Sequence, residues 1–418
     1  MMIRTFIWHG TFARAARLLL WLVTLVAGGI GAAHAESPNP TVSYAVTVAA
    51  RANGALLALD LSDEVAYEIT LLSRPDRIVI DLPKVVFAGG PANPSGAVGP
   101  VSAWRYGLFF ADRSRIVLDL AQPAVVERVD STVVSGRRRL VFNLARTDRA
   151  KFTEAAARLA KEKRPEVLAT AALPEASFSG RKLPVVVIDP GHGGIDGGAS
   201  SPAGEPEKAI VLPLALALKE RLEKSGRVRV AMTRTDDVFV SLSDRVKFAR
   251  DHKAALMISL HADAVAAEPG VRGASIYTLS EKASDVLSAK LADSENKADQ
   301  IAGVEAQEDS SAIGDILFDL TKRETRHFSI GLARHIGATL PETMQMHKNP
   351  LRAAGFRVLT APDVPSVLIE TGYLSSMEDA KLMKTAEWRA GMADAIARAV
   401  EKFVGENTTA VTNSAQKP

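Results

Sequence analysis

VVVIDPGHGG, residues 185–194, is the stretch whose reading decides the fold. Its first four residues are apolar and mostly β-branched, with no polar face left for water. That is the pattern of a central parallel strand covered on both sides. Asp189-Pro190-Gly191 ends the run, and His192 follows in a glycine-framed turn, where Gly193 and Gly194 are expected to let the backbone pass close to whatever His192 holds. Ligands of open α/β sheets bind at the carboxyl ends of the strands. His192 therefore stands where chemistry is expected, provided it has partners.

Two later runs end in the same manner. Residues 255–260, ALMISL, deliver His261, and residues 366–369, SVLI, deliver Glu370. A further acid, Glu207, lies just ahead of a helical pattern at 210–222, where an acid also serves as a partner for the helix dipole. Two histidines and a carboxylate, with a second carboxylate free, form the inventory of a hydrolytic zinc site: three ligands, an open position for water and a general base. The chain has no cysteine, which excludes thiolate ligation and a cysteine nucleophile. No Gly-x-Ser-x-Gly elbow is present, and the loop lacks the glycine and lysine spacing of a phosphate cradle.

The segments IDPGHGG (188–194), PEK (206–208), TRTDDVFVSLSDR (233–245), SLHADA (259–264) and VLIETGYLSS (367–376) closely resemble the zinc-dependent N-acetylmuramoyl-L-alanine amidases of the type-3 fold, in that family's order. The resemblance covers about residues 184–404. It implies an α/β catalytic domain with a mostly parallel sheet flanked by helices. It also implies one Zn2+ held by His192, Glu207 and His261, and a catalytic glutamate at Glu370. The reaction implied is hydrolysis of the amide between N-acetylmuramic acid and the L-alanine of the stem peptide. Departures are small: Gly197-Gly198 where the family often has Pro-Gly, and Tyr373 where phenylalanine is frequent. Two other classes stay open on the residues alone, a zinc peptidase acting on the stem peptide and a non-catalytic wall-binding protein.

Other residues carry weaker signals. Asp189, Asp263 and nearby carbonyls are candidates to orient the ligand imidazoles, with simple strand capping the alternative for the two acids. Arg234 and Arg245 are expected to pair with Asp236, Asp237 and Asp244 rather than to read substrate. Arg352, in a loop leading to the Glu370 strand, could bind the acidic stem peptide, because arginine grips carboxylates through two parallel donors. His327, His335 and His347 have no matching partners.

The amino terminus sets the compartment. Residues 1–35 contain Arg4, Arg14 and Arg17 without an acid, an apolar stretch at 18–30, and Ala33-His34-Ala35. This is the pattern of a secretory signal peptide cleaved after Ala35, and the absence of an adjacent arginine pair favours the general secretory route. The expected location is the periplasm, with no membrane span after cleavage. A net charge of +3 with no basic, aromatic-interleaved stripe gives no nucleic-acid footprint.

Residues 41–148 repeat one phrase three times: RIVIDL (77–82), RIVLDL (115–120) and RLVFNL (139–144). Alternation and β-propensity predict a smaller all-β sandwich, its arginines facing solvent. The phrase resembles the AMIN domain, which directs amidases to the wall or septum. Residues 149–183 read as a linker, part helix and part coil, and 405–418 as a disordered tail.

One stretch remains. Residues 281–320 hold ten acids against three lysines in a helical pattern. Division amidases of the resembled family carry an insertion here (281–325) that covers the zinc cleft until an activator, of the LytM-domain type, displaces it. By that analogy Glu305, Glu308 or Glu295 would occupy the open metal position, with Glu305 and Glu308 placed slightly ahead.

Overall fold

The computed structural model describes residues 40–89, 96–162, 183–265, 270–304, 316–342 and 344–414. The expected signal peptide, most of the linker, and Glu305 and Glu308 lie outside them.

The amino-terminal half contains β1 (Thr41–Arg51), β2 (Gly54–Leu61), β3 (Glu68–Leu72), β4 (Arg77–Pro83), β5 (Val85–Phe87), β6 (Val101–Phe110), β7 (Arg113–Leu120), β8 (Ala124–Val134) and β9 (Arg137–Arg146). They form two sheets, ordered β5-β1-β2-β9-β8 and β3-β4-β7-β6. The three repeated phrases are the strands β4, β7 and β9. Leu57 and Leu59 of one sheet, Ile78 and Ile80 of the other, and Phe142 share one core, so the inner faces pack on each other. Helix α1 (Arg149–Glu162) closes the domain, and Phe152 is buried in that core.

The outer face of the second sheet differs from expectation. Arg77 and Arg115 are 3% and 7% exposed, and only Arg139 of the three phrase-leading arginines reaches solvent appreciably. Alternation correctly places them opposite the core; what covers that face comes from distant sequence.

The carboxyl-terminal half contains β10 (Val185–Pro190), α2 (Lys208–Lys224), β11 (Arg229–Met232), α3 (Leu242–Asp251), β12 (Leu256–His261), β13 (Ala274–Leu279), α4 (Val286–Glu295), α5 (Ala298–Ile301), α6 (Ile316–Thr339), β14 (Met346–Ala354), β15 (Ser366–Glu370), α7 (Met377–Met383) and α8 (Ala386–Ser414). The sheet runs β11-β10-β12-β15-β13-β14. Its first four strands are parallel, while β13 is antiparallel to β15 and parallel to β14. Val186 and Ile188 enter the core shared with α2, α6 and α8, and Val187 enters the opposite one with Leu242 and Leu291. Both faces are thus covered, as the unbroken apolar run requires.

Two boundaries move. Arg352 lies within β14 instead of a loop, because an edge strand tolerates the missing donor of Pro350. Helix α8 runs to Ser414, past the expected end of the fold at 404, since polar residues extend a helix that is already nucleated. No described helix is long and apolar enough to cross a membrane.

Candidate active site

Three strand ends build the floor of the site. The parallel register sets Pro190 beside Leu260 and His261 beside Glu370. Gly191 N–H donates to the Leu260 carbonyl at 3.0 Å, which continues the pairing one residue past β10. His192, Glu207, His261 and Glu370 are all buried.

Glu207 precedes α2 but makes no side-chain cap. Its carboxylate turns inward instead. There it accepts from Ala262 N–H (2.7 Å) and Ala199 N–H (3.0 Å) and stands 3.1 Å from both His192 Nε2 and His261 Nδ1. The dipole-partner role considered for an acid at this place thus gives way to the cleft. The two imidazoles meet edge to face, with centroids 5.0 Å apart.

Asp196 holds His192 from behind, its carboxylate 2.9 Å from Nδ1. That contact fixes the ring so that Nε2 faces the centre. Asp196 is four residues after His192, two beyond the IDPGHGG segment, yet sequence reasoning offered Asp189 and Asp263 for the orienting role. Asp189 instead accepts from Thr233, Ser259 and Arg245 and is a buried anchor beneath the loop. Arg245 and Arg234 are structural, as expected, but apart from an Arg234 bond to the Asp236 carbonyl (3.1 Å) their partners are different. Arg245 bonds Asp189 and the Pro190 and His192 carbonyls, while Arg234 donates to the carbonyls of Pro190 and Gly191. Burial, then the neighbouring Arg245, pulls Arg234 down to about 10.

The glycines also divide differently. A Cβ at Gly191 would lie 2.4 Å from the His261 ring, and one at Gly198 would lie 2.6 Å from Glu207 Oε2. These are the close approaches to the centre. Gly194 (φ +57°) meets Leu108 O of β6, 2.0 Å from a built Cβ, so the second glycine of the pair serves contact with the amino-terminal domain.

Electrostatically the centre is a mutual stabilisation. Burial opposes charge on His192, but Glu207, Asp196 and Glu295 raise its pKa well above the usual range. Burial likewise opposes charge on Glu207, but the two histidines hold it well below the carboxylate range. At Glu370 and Asp263 the neighbouring acids prevail, with His192 only partly offsetting them at Asp263. Burial, then Asp263, Glu207 and Glu295, pushes Glu370 well up; burial, then Glu295 and Glu207, pushes Asp263 up to about 8. Glu370 Oε2 accepts from Asp263 N–H at 3.0 Å, and its buried Oε1 has no hydrogen-bond partner. A base with an unspent oxygen is what a proton acceptor needs.

The insertion supplies a roof. Glu295, the last residue of α4, is 5% exposed and sets Oε2 3.1 Å from His261 Nδ1 and 3.4 Å from His192 Nε2. The space left beneath, bounded by His192, Arg245, His261, Glu295, Asn296 and Val358, is about 10 Å³. That is room for about one water and not for a peptide stem. Arg352 is buried and donates to the Tyr277 hydroxyl (3.2 Å) and the Asn349 carbonyl (3.0 Å). His347 bonds locally, His335 contacts the Gly331 carbonyl and the Glu406 carboxylate (3.0 Å), and neither they nor His327 joins the cluster.

Ligand atoms of His192, Glu207, His261 and Glu295 all lie within 4.8 Å of one another, a group able to hold a metal ion. His192 Nε2 is buried with carboxylates at 3.1 and 3.4 Å and still makes no hydrogen bond. Ligand atoms gathered this closely suit a cation between them. The nitrogen and oxygen donors, with no sulfur, suit zinc among other divalent ions.

The fold and the site together define a hydrolase of the cell-wall amidase type. Residues 186–402 match the N-acetylmuramoyl-L-alanine amidase family, and 45–144 match the AMIN domain. The chain is 30% identical to the N-acetylmuramoyl-L-alanine amidase AmiC of Escherichia coli O6:H1, over 84% of this chain and 87% of that one. It is 33% identical to AmiC of Neisseria meningitidis serogroup B (83% and 86% covered) and 39% identical to AmiA of Escherichia coli K12 (55% and 79%). The chain belongs to the N-acetylmuramoyl-L-alanine amidase family and carries an AMIN domain. Its reaction is hydrolysis of the amide that joins the peptidoglycan glycan to its stem peptide.

Proposed function

We propose that this enzyme is a periplasmic, zinc-dependent amidase of daughter-cell separation whose resting form is closed by its own insertion. His192, Glu207 and His261 would hold the ion, with Asp196 orienting His192. Bound zinc lowers the pKa of water to about 7 and polarises the scissile carbonyl.

Glu370 is the general base of this reading. It takes a proton from the attacking water and passes it to the departing L-alanine nitrogen, so the amide C–N bond breaks as the C–O bond forms. Full burial, with the carboxylates of Asp263, Glu207 and Glu295 nearby, keeps its affinity for that proton high. Asp263 N–H holds one oxygen of the pair and leaves the other for the proton.

Glu295 is the plug. The observation that carries this reading is its carboxylate at 3.1 and 3.4 Å from two ligand nitrogens, above a space of about 10 Å³. A partner protein that lifts α4 would open the cleft. The signal-like residues 1–35 and the AMIN domain support export to the periplasm.

Elemental analysis of the purified protein should give one zinc per chain. Mass spectrometry of digested wall should give peptide-free glycan and stems with free L-alanine amino termini. Cleavage inside the stem peptide instead would sink the amidase assignment.

A further inference from the structure

The repeated phrase of the AMIN domain has no part in the reaction, yet its charged face is among the most buried polar surfaces of the molecule. In β4 and β7 the two copies pair antiparallel, with Arg77 opposite Asp119 and Asp81 opposite Arg115. Arg115 grips Asp81 through two bonds, at 2.6 and 2.9 Å, and Arg105 of β6 grips Asp119 at 2.5 and 3.3 Å. The aspartates thereby fix two guanidinium groups on one face of the sheet, and Arg77 beside them donates to the Pro75 carbonyl (3.3 Å).

That face meets the end of the insertion. Arg77 donates to the Gln300 carbonyl (2.8 Å), Arg105 to those of Ile301 and Gln300, and Arg115 to those of Ala302 (3.0 Å) and Gly303 (3.2 Å). Four consecutive carbonyls, two from the last residues of α5 and two from the residues just after it, thus accept from another domain, Gln300 O in addition to the Gly303 N–H. Val79 and Val117 pack against Ala302, and Gly303 (φ +67°) lies so close that a Cβ there would be 2.9 Å from Val79 and 3.0 Å from Val117. Beside this contact, Ile195 N–H bonds Leu108 O (2.8 Å) and Phe239 stacks on Phe109 at 5.6 Å. The AMIN sheet therefore holds the insertion and the His192 loop at once.

We propose that the AMIN domain is the latch of the closed enzyme: its three-arginine sheet face grips the carbonyl end of α5 and so keeps Glu295 over the histidine–glutamate centre. The latch rests on reading Glu295 as the plug. Only four residues, 296–299, separate Glu295 from the Gln300-to-Gly303 stretch held here, so slack at the grip reaches the plug directly. The surface is in this sense an interaction surface whose partner is the chain's own insertion.

The test uses the full mature chain. Arg77→Met with Arg105→Met removes the donors and keeps apolar stems. Hydrogen exchange of residues 286–301, read by mass spectrometry, should accelerate roughly tenfold or more, the scale of losing one or two net hydrogen bonds. Basal dye release from murein should rise with it, and both arginine changes should add less than about twofold when Glu295→Gln is already present. Gly303→Val reaches the same contact from the amidase side, and is decisive alone if the double variant loses protection in β4 and β7. Unchanged exchange at 286–301 in folded Gly303→Val and in the folded double variant overturns the latch. If Glu295→Gln alone leaves basal release at the parental level, the plug reading is what fails, while the exchange result still decides the latch.

Discussion

The floor and the roof of the site are built by opposite means. The floor hangs on β10, β12 and β15, where Val186, Ile188, Leu260 and Ile369 are fully buried. Each such side chain contributes roughly 1.5–3 kcal/mol by burial, and dozens surround the strand ends. The roof has an apolar underside in Leu287 and Leu291, but its tip is tied by single polar contacts. Asn296 donates to Gly355 O and accepts from Arg357 N–H, and Asp299 accepts from Leu242 N–H at 2.9 Å. Contacts of this kind are worth about 1 kcal/mol each. The difference teaches that the chemistry is placed where the fold cannot yield, and its restraint where the fold can.

Changes at the floor should break activity outright. Glu370→Gln is expected to lower murein hydrolysis by about 10²–10⁴-fold, the usual weight of a general base, with zinc content unchanged. A loss of zinc in that variant would move Glu370 from base to ligand. At the roof the sign reverses. Glu295→Gln should raise basal hydrolysis about tenfold or more without altering thermal stability of the AMIN domain, since one charge-assisted contact is worth about 1.5–3 kcal/mol. A smaller rise, about threefold to tenfold, is expected from Asn296→Ala, which removes two bonds to the 355–357 loop. Basal release equal to the parent would mean that the tip is held elsewhere.

The smallest effect concerns pH. Burial raises the pKa of Asp299; Asp244 adds to this, while Leu242 N–H, Arg357 and Arg245 oppose it. The closed state thus binds this proton more tightly than an open one, where the carboxyl returns to its ordinary value. Closure is favoured in acid and weakens as pH rises from about 4 through the raised value. Hydrogen exchange at 286–301, corrected for intrinsic rates, should accelerate modestly across that window in the parent and not in Asp299→Asn.

Much of the floor was legible because its signal is local. An apolar run that stops in a histidine or glutamate states its own strand end, and three such runs converge at one edge of a parallel sheet. The structure brings His192, Glu207, His261 and Glu370 together there. Asp196 could have been found from its spacing, four residues beyond His192 in a turn that reverses on itself. Glu295 was harder. Ten acids in a helical stretch show a charged segment, but not which acid turns inward, and the sequence placed Glu305 and Glu308 slightly ahead of it. Alternation in RIVIDL and RIVLDL told which face carries the arginines. It could not tell that residues 300–303, some two hundred positions away, lie on that face.

Arg77, Arg105 and Arg115 touch main-chain oxygens of residues 300–303, which every amino acid possesses. The contact is therefore indifferent to most side chains in that segment, Gly303 excepted. The outward side chains of α4 and α5 can therefore change without loss of these main-chain contacts.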